Sequence, residues 1–282
     1  MISDSLENYL NRVIQEIIAD DDSRTAQAMA YSLLAGGKRI RPHLMCAIAN
    51  SYGADYQEML VTAAALEMIH TYSLIHDDLP LMDDDSLRRG KPSCHIQFDE
   101  ATALLAGDGL LTLAFAMISR LSEQHCQKVL RILGEAAGID GQYAMIYGQD
   151  LDINREIRDY ADYSWLASNK TGALFGAALA CGAVLADRDD LIDDLIHLGG
   201  QLGVVFQLQD DLLEVVSDEK TSGKSFSDVR NDKMTAVALL GEERARDILA
   251  REYELLQEMI GLLPREFPVL SEIVANLTGR VS

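Results

Sequence analysis

The sequence predicts an all-α protein, built as a single domain of about ten helices. Only five of its 282 residues are proline, at positions 42, 80, 92, 264 and 268, so residues 93 to 263 contain none. That stretch is rich in Ala, Leu, Met and Ile and lacks the period-two alternation of strands, a combination that favours helices. Neither a repeat of roughly 20 to 50 residues nor a linker divides the chain.

Apolar residues recur with the helical period in segments along the chain. These segments are Leu6–Ile18, Ala26–Leu34, Glu58–His76, Thr102–Leu121, Val129–Tyr147, Ala161–Leu185, Leu191–Leu213 and Glu242–Ile260. Two stretches, Leu104–Met117 and Thr171–Ala186, are apolar nearly all round, which is typical of helices in the middle of a bundle. Breaks are predicted at glycine-rich or polar positions, namely Gly36-Gly37, Ser51–Gly53, Gly138–Gly141, Ala186–Asp190 and Ser217–Lys233.

Composition and charge exclude several classes of protein. Hydrophobic residues make up 48% of the chain, enough for a buried core, and the net charge of −21 argues against nucleic acid or an anionic membrane as partner. The four cysteines are scattered, so we expect neither a zinc site nor disulfides. With no signal peptide and no apolar stretch long enough to span a bilayer, we expect a soluble, cytoplasmic protein.

Five aspartates crowd into the nine residues from Asp77 to Asp85, directly after an apolar helical segment. Carboxylates this close repel one another unless a cation lies between them. Pro80 removes a backbone donor and distorts the helix, so we expect the chain to turn and carry Asp83 back toward Asp77. Asp84 and Asp85 are weaker candidates for metal ligands. The alternative interpretation is that the whole acidic stretch is an ordinary solvated loop.

A second acidic cluster, Asp210, Asp211 and Glu214, lies inside the apolar segment Val204–Val216. Positions i and i+4 share a face of a helix, so Asp210 and Glu214 can present one metal-binding edge, with Asp211 on its flank. The alternative is a solvated acidic helix end. Buried carboxylates without partners are costly, which favours a functional site.

Arginines follow the first acidic cluster at once, at positions 88 and 89. Guanidinium groups grip phosphate oxygens in a fork. Mg²⁺ takes oxygen ligands and is usually held by one or two carboxylates together with substrate phosphates. The two clusters therefore predict two walls of a Mg²⁺–diphosphate site.

The segment Gly36–Pro42 combines a glycine pair with three cations. A glycine pair ahead of basic residues is typical of phosphate-gripping turns, and Lys38 and Arg41 can point the same way if a helix begins here. The Gly-Lys-Ser/Thr ending of a nucleotide-binding P-loop is missing. His70 lies two helical turns before Asp77 on the same face, although a lone helical histidine is also common as a core residue.

Together these motifs resemble the trans-isoprenyl diphosphate synthases of the polyprenyl synthetase family, in particular the bacterial short-chain farnesyl type. The resemblance implies a helical bundle around a central cavity. The matching elements occur in order and are Gly36–Pro42, His70, Asp77–Asp85 with Arg88-Arg89-Gly90, Gly148-Gln149 with Asp152, Lys170-Thr171-Gly172, Phe206–Asp211, Gly223-Lys224 and Lys233. Single elements are weak signals, but the ordered set is specific.

The resemblance implies a role for each matching position. It implies a metal site for three Mg²⁺, with Mn²⁺ as an alternative, made by Asp77, Asp78, Asp83, Asp152, Asp210, Asp211 and Glu214. Glu214 stands where the family usually has Asp, and we expect it to act through water. Contacts to the allylic diphosphate are implied for Arg88, Lys170, Lys224 and Lys233, and contacts to isopentenyl diphosphate for Lys38, Arg41, His70 and Arg89. The Thr171 carbonyl and the Gln207 side chain would stabilise an allylic cation.

The resemblance also sets the expected function, which is condensation of isopentenyl diphosphate with dimethylallyl or geranyl diphosphate to give mainly farnesyl diphosphate. Tyr72 and Ser73 occupy the positions that limit chain length in related synthases. A homodimer is expected. The alternatives are a geranylgeranyl diphosphate synthase, a terpene cyclase, a non-catalytic partner subunit and a helical protein that only binds divalent cations.

Overall fold

The computed structural model describes residues 2–18, 23–220 and 234–278, and the predicted all-α class is confirmed. Lys224 and Lys233, both expected to contact substrate, lie outside the described residues, as does the side chain of Glu214. The chain divides into two compact units, Met1–His43 with Ala54–Leu130 and Leu44–Gly53 with Arg131–Ser282. Each unit is described by itself below.

The first unit is built from helices and one short hairpin. Its elements are α1 (Ile2–Ile18), α2 (Arg24–Leu33), α4 (Tyr56–Asp77), strands β1 (Leu87–Arg88) and β2 (Lys91–Pro92), α5 (Cys94–Gln97) and α6 (Glu100–Ile118). Two further helices, α3 (Ile40–Ser51) and α7 (Glu123–Ala137), contain the residues at which one unit gives way to the other. Helix α4 packs against α1, α2 and α6, so its end, where the first acidic cluster begins, is held from several sides.

Every secondary-structure element among the described residues of the second unit is a helix or a helical turn. Its elements are α8 (Met145–Asn154), α9 (Tyr160–Ala167), a π-helical turn (Ser168–Gly172), α10 (Ala173–Leu185), a 3₁₀ turn (Asp189–Leu191), α11 (Ile192–Lys220), α12 (Ala236–Leu240), α13 (Glu242–Gly261) and α14 (Pro268–Thr278). Helix α11 carries the second acidic cluster and packs against the π-helical turn, α9, α10 and α13.

Side-chain caps fix where several helices begin. Asp55 accepts hydrogen bonds from the amides of Gln57 and Glu58 at 2.9 Å each, and α4 therefore begins at the next residue. Asp99 and Asp159 cap α6 and α9 in the same way. A capping carboxylate satisfies amides that have no partner inside the helix and lies at the positive end of the helix dipole.

The two helices predicted to be apolar all round behave differently. Every residue of α10 is buried, as predicted. Helix α6 is buried on one side only and exposes Leu104 and Leu105. The prediction that α6 lies in the middle of the bundle is therefore wrong for the first unit. By length and composition α6 is the one described helix able to cross a membrane, but this is weak support for a span, because core helices pass the same test.

Some element boundaries differ from the sequence prediction. The segment Val129–Tyr147 is not one helix, because α7 ends at Ala137 and α8 begins at Met145, with the predicted glycine break between them. Helix α3 was missed, since it has no clear apolar stripe and begins next to Pro42, which the first turn of a helix tolerates. The hairpin Leu87–Pro92 is too short for strand periodicity to reveal.

Candidate active site

The first acidic cluster lies where α4 ends. Asp77 is the last residue of the helix, and the amide of Asp83 donates a hydrogen bond to the Asp77 carbonyl at 2.8 Å. The chain has therefore turned back after Pro80, as predicted. The turn from Asp77 to Asp83 forms a rim at the end of α4, and because both side chains are half-buried, water and ligands can reach each carboxylate.

Asp78 points the other way, into the first unit, and is 2% exposed. Its Oδ1 accepts hydrogen bonds from Nε of Arg88 at 2.9 Å and from Nη2 of the same arginine. Nη2 of Arg88 also donates to Oδ2 of Asp85 at 2.9 Å. Burial raises the pKa of Asp78, and the Arg88 guanidinium partly offsets that effect. The sequence assigned Asp78 to the metal and Arg88 to a diphosphate, whereas in the structure the two pair with each other.

The hairpin after the cluster orients the two arginines. Arg89 and Gly90 connect its strands and both have positive φ, 53° and 75°, as a two-residue type I′ turn requires. Arg88 faces Lys91 across the hairpin in the β-pairing. The Arg89 side chain leaves the turn and donates a hydrogen bond to the carbonyl of Gly36, so it joins the glycine-rich loop of the same unit.

The predicted phosphate-gripping turn contains positive φ angles at Gly36, Gly37 and Arg39, of 81°, 134° and 47°. Helix α3 begins directly after it, as the sequence prediction required for Lys38 and Arg41. Lys38 is exposed before the helix, and Arg41 lies in the first helical turn. Burial and the neighbouring Arg89 lower the pKa of Arg41 to about 10, while Glu67 raises it.

His70 lies in α4 near these arginines. Burial is the largest cause that lowers its pKa well below the usual value, and the charges of Arg41 and Arg89 add to it. The imidazole is therefore neutral at pH 7 and offers one N–H donor. The structure thus brings Arg41, His70 and Arg89 into one cationic region of the first unit.

Tyr72 and Ser73 precede the acidic cluster on α4. Tyr72 is 5% exposed, its ring lies edge-on to His76 with centroids 5.8 Å apart, and burial with the Asp77 charge raises its pKa to about 12. Its hydroxyl has no hydrogen-bond partner among the described residues. Ser73 donates to the carbonyl of His70 at 2.9 Å and is too small to close a cavity.

In the second unit, Asp210 and Asp211 take opposite roles on α11. Asp210 is half-buried, whereas Asp211 is 6% exposed. The Asp211 carboxylate accepts hydrogen bonds from Tyr163 Oη at 2.8 Å, the Ala236 amide at 2.6 Å and Gln207 Nε2 at 3.0 Å. Burial and this carboxylate raise the pKa of Tyr163 well above its usual value. The Asp211 carboxylate, predicted for the metal site, thus joins α9 and α12 to α11.

Thr171 lies in the π-helical turn, where the widened helix leaves a backbone carbonyl available for other partners. Its hydroxyl donates to Oε1 of Gln207 at 3.3 Å. A Cβ at Gly203 would lie 2.4 Å from the backbone of Gly172, so only glycine allows α11 to approach the turn this closely. The structure therefore brings together the two residues expected to face the allylic cation.

Lys170 and Asp152 form an ion pair in the same unit, with Nζ and Oδ2 2.5 Å apart. The side chains are 23% and 14% exposed, so a ligand can reach the lysine. A Cβ at Gly148 would lie 2.2 Å from the Lys170 amide nitrogen, which explains the glycine of the Gly148-Gln149 motif. Asp152, predicted for the metal site, is placed here as the partner of Lys170.

The residues present fit a Mg²⁺ ion that substrate oxygens complete. Within residues 2–18, 23–220 and 234–278 no group of three or more His, Cys, Asp and Glu side chains is arranged as a ready-made cage. Asp77 and Asp83 instead offer two accessible carboxylates on one rim, and Asp210 offers another in its own unit. Mg²⁺ is commonly held in this way, by one or two carboxylates and phosphate oxygens.

Sequence reasoning missed several residues that hold these groups. Arg39 and Glu67 form a buried ion pair in the first unit, which the partly exposed Glu7 extends, and Tyr163 anchors Asp211 in the second. The spacing of the basic residues does not distinguish the structural role of Arg39 from the ligand-binding roles expected of Lys38 and Arg41. Glu67 stood out only as a carboxylate inside an apolar helix, a signal that the sequence analysis did not use.

Comparison with known proteins places the chain. A model of the polyprenyl synthetase family matches residues 22–267. The farnesyl diphosphate synthase of Bacillus subtilis (strain 168) is 39% identical over 98% of this chain and 95% of its own. The chloroplastic geranylgeranyl pyrophosphate synthase of Catharanthus roseus is 35% identical over 90% of this chain and 73% of its own.

The fold matches as well. The crystal structure of geranyltransferase from Helicobacter pylori, complexed with magnesium and isoprenyl diphosphate, superposes with a TM-score of 0.78 at 30% identity, over 98% of this chain and 96% of that one. The chain belongs to the polyprenyl synthetase family, so the family resemblance read from the sequence is confirmed.

The contrast between Asp210 and Asp211 can be tested by stability alone. We expect Asp211→Ala to lower the free energy of unfolding by about 2–4 kcal/mol, because the Tyr163 hydroxyl and the Ala236 amide lose their buried acceptor. Asp210→Ala, one residue away, should change it by less than about 1 kcal/mol. Urea unfolding followed by circular dichroism measures both variants. Equal destabilisation by the two substitutions would contradict the assigned roles.

Proposed function

We propose that the protein is a prenyltransferase that joins isopentenyl diphosphate to dimethylallyl or geranyl diphosphate and makes mainly farnesyl diphosphate. The observation that carries this proposal is the accessible rim of Asp77 and Asp83 in the same unit as the cationic region of Arg41, His70 and Arg89. Such a unit offers both a metal-assisted diphosphate site and a second site that binds diphosphate through cations alone. Two such sites match two diphosphate substrates.

The proposed cofactor is Mg²⁺, as three ions per active site, with Mn²⁺ as an alternative metal. Asp77, Asp83 and Asp210 would hold the ions, and Glu214 would act through water. When bound, the metal neutralises the charge that develops on the leaving diphosphate. Asp78, Asp152 and Asp211 support the site through their partners Arg88, Lys170 and Tyr163.

The side chains divide the work of binding between the two substrates. Lys38, Arg41, His70 and Arg89 hold isopentenyl diphosphate, with His70 as a neutral donor. Arg88, Lys170, Lys224 and Lys233 hold the allylic diphosphate. Arg88 is 35% exposed in its pair with Asp78, so it is already oriented and still accessible to a ligand.

The reaction breaks the carbon–oxygen bond of the allylic substrate, and the electron pair leaves with diphosphate. The carbonyl of Thr171 and the amide oxygen of Gln207 stabilise the allylic cation. The double bond of isopentenyl diphosphate then attacks the cation, and the released diphosphate takes the proton that restores a double bond. Apolar walls keep water from the cation.

The alternatives are less well supported. A terpene cyclase has no use for a second diphosphate site, so it does not explain Arg41, His70 and Arg89. A non-catalytic partner subunit is disfavoured because both acidic clusters are present. A protein that only binds cations does not explain the arginines either. Geranylgeranyl diphosphate synthesis stays the nearest alternative, since several relatives carry that name, among them the Catharanthus roseus protein at 35% identity.

The same proposal covers organisation and location. We treat residues 1–282 as one polyprenyl synthetase domain, since the family match at residues 22–267 includes residues of both compact units. We place the enzyme in the cytosol, without nucleic acid or membrane partners, in keeping with its net charge of −21.

The proposal is tested by metal-dependent product formation. Incubated with isopentenyl and dimethylallyl diphosphates and Mg²⁺, the wild-type protein should give farnesyl diphosphate, identified as its dephosphorylated alcohol. Asp77→Asn and Asp210→Asn should each lower kcat about 100-fold or more, since each removes charge that acts on the leaving diphosphate.

The control for these variants lies in the same loop. Asp84 is exposed and has a φ of 52°, which asparagine adopts readily, so Asp84→Asn should keep kcat within about threefold of wild type. Near-normal turnover of Asp77→Asn or Asp210→Asn in excess Mg²⁺ would refute the assignment.

Tyr72 is the proposed stop for the growing chain. Ser73 lies about 40° and Tyr72 about 140° round the helix from Asp77, so helical angle alone favours Ser73. However, the Tyr72 ring lies edge-on to His76, and the His76 ring lies against Gly107, so Tyr72 is on the side of α4 that packs against α6. A tyrosine that serves only as core packing usually finds a partner for its hydroxyl, and within the described chain this hydroxyl has none.

Shortening Tyr72 should change the product. We expect Tyr72→Ala to extend the path and shift the products from C15 to C20 or longer. Tyr72→Phe keeps the ring and should keep C15, because only the ring blocks the chain. Product alcohols separated by gas or liquid chromatography decide the matter. Unchanged length in Tyr72→Ala, or C20 from the wild type, would place the stop elsewhere.

A homodimer is the proposed assembly, with α6 as its contact. Leu104 and Leu105 are 47% and 54% exposed on this helix, an apolar face that a second copy can cover. Light scattering should report twice the chain mass of 31.0 kDa. We expect Leu105→Glu to weaken the dimer and Leu255→Glu, at a 44% exposed leucine on α13, to leave it intact. A wild-type monomer at micromolar concentration would refute the proposal.

A further inference from the structure

Arg39 is a buried cation between two carboxylates. Its Nε donates to Oε1 of Glu7 at 2.6 Å, its Nη1 to Oε2 of Glu67 at 2.6 Å and its Nη2 to the Leu33 carbonyl at 2.9 Å. The Arg39 and Glu67 side chains are each 2% exposed. With all three nitrogens occupied inside the protein, Arg39 is not placed to bind a ligand itself.

The backbone at Arg39 has a left-handed conformation, which is unfavourable for arginine unless surrounding contacts hold it. Its φ is 47°, in the left-handed region that arginine rarely adopts, and it follows Gly36 and Gly37, which also have positive φ. Such a conformation persists where the surroundings fix it. At Arg39 these surroundings include the three hydrogen bonds of its side chain and the hydrogen bond that its carbonyl accepts from the His43 amide at 3.1 Å.

The loop shaped in this way supports Arg89. The Arg89 side chain donates to the Gly36 carbonyl. A Cβ at Gly37 would lie 2.8 Å from Arg89 Cζ, so the guanidinium rests directly on the glycine backbone. The direction of Arg89 therefore depends on the course of the loop, and the course of the loop depends on Arg39.

Glu67 also opposes the repulsion among the arginines. Its negative charge acts on Arg39, Arg41 and Arg89, while the charge of Arg39 acts unfavourably on Arg89. Cations gathered to bind a diphosphate repel one another when no diphosphate is present. A buried carboxylate among them keeps the arginines in place before substrate arrives.

We propose that Arg39 is a positioning residue for the site of isopentenyl diphosphate: clamped by Glu7 and Glu67, it fixes the loop against which Arg89 lies. The proposal rests on the proposed function and adds a residue that does not touch the substrate. It makes the affinity for isopentenyl diphosphate depend on Arg39 through Arg89.

The test is a comparison of KM values in the full-length enzyme. Arg39→Gln should raise the KM for isopentenyl diphosphate about tenfold or more and change the KM for geranyl diphosphate less than about twofold. Arg39→Lys keeps the charge and should recover part of the loss. Arg24→Gln, which removes an exposed arginine paired with Asp99 in the same unit, should leave both KM values at the wild-type level.

A double-mutant cycle separates this role from a general effect on stability. If Arg39 acts through Arg89, then Arg39→Gln in an Arg89→Gln background should raise the KM for isopentenyl diphosphate by less than about twofold further. Additive effects of the two substitutions, or equal rises in both KM values, would overturn the proposal. A lower melting temperature with unchanged KM values would also overturn it.

Two safeguards keep the outcomes distinct. If Arg39→Gln does not fold, Glu7→Gln removes only the outer carboxylate and should still raise the KM for isopentenyl diphosphate about threefold, with the KM for geranyl diphosphate unchanged. An inactive wild-type protein would refute the proposed function itself. An active wild type whose variants show no selective change would refute only the role of Arg39.

Discussion

The ion pair of Arg39 and Glu67, both nearly inaccessible to water, is the interaction on which the geometry of the first unit depends. Ions that leave water must meet opposite charge at good geometry, or burial destabilises the fold. Because Arg39 also reaches Glu7, the pair connects α1, the glycine-rich loop and α4. The Asp78–Arg88 pair connects the hairpin to the end of α4 in the same way. The accessible carboxylates and arginines of this unit are thus held in position by ion pairs whose buried charges compensate each other.

Around Asp211 and Thr171, the second unit relies on neutral donors and close backbone contact. Asp211 is satisfied by a phenol, an amide side chain and a backbone N–H, so three elements converge on one carboxylate. The glycines of α10 and α11 let backbones approach to distances that any Cβ would prevent. A π-helical turn next to such a contact keeps Thr171 and Gln207 in register. Rigid backbone contact suits a group that must face a short-lived cation without reorganising.

Sequence reasoning succeeded where local chemistry decides the structure. Pro80 predicted the turn that returns Asp83 to Asp77, and the glycine pair predicted the break at Gly36-Gly37, where the backbone has positive φ angles. It failed where the outcome depends on what packs against a residue: α6 is apolar on all sides, and nothing in its pattern tells the buried face from the exposed one. The pairing of Asp78 with Arg88 was not foreseen either, because the position of Arg88 depends on a hairpin that is too short to recognise in the sequence.

The two acidic motifs have the same arrangement of an accessible and a buried aspartate, which the positions of the side chains reveal. In each Asp-Asp pair the first carboxylate is accessible and the second is buried and bonded to the protein, as Asp77 and Asp78 are in the first unit and Asp210 and Asp211 in the second. Neighbours on a helix point about 100° apart, so both cannot face one ligand. Anchoring the second carboxylate fixes the rotation of the helix end, and with it the direction of the first. The buried aspartate is therefore part of each motif through the bonds that it makes within the protein, Asp78 with Arg88 and Asp211 with Tyr163.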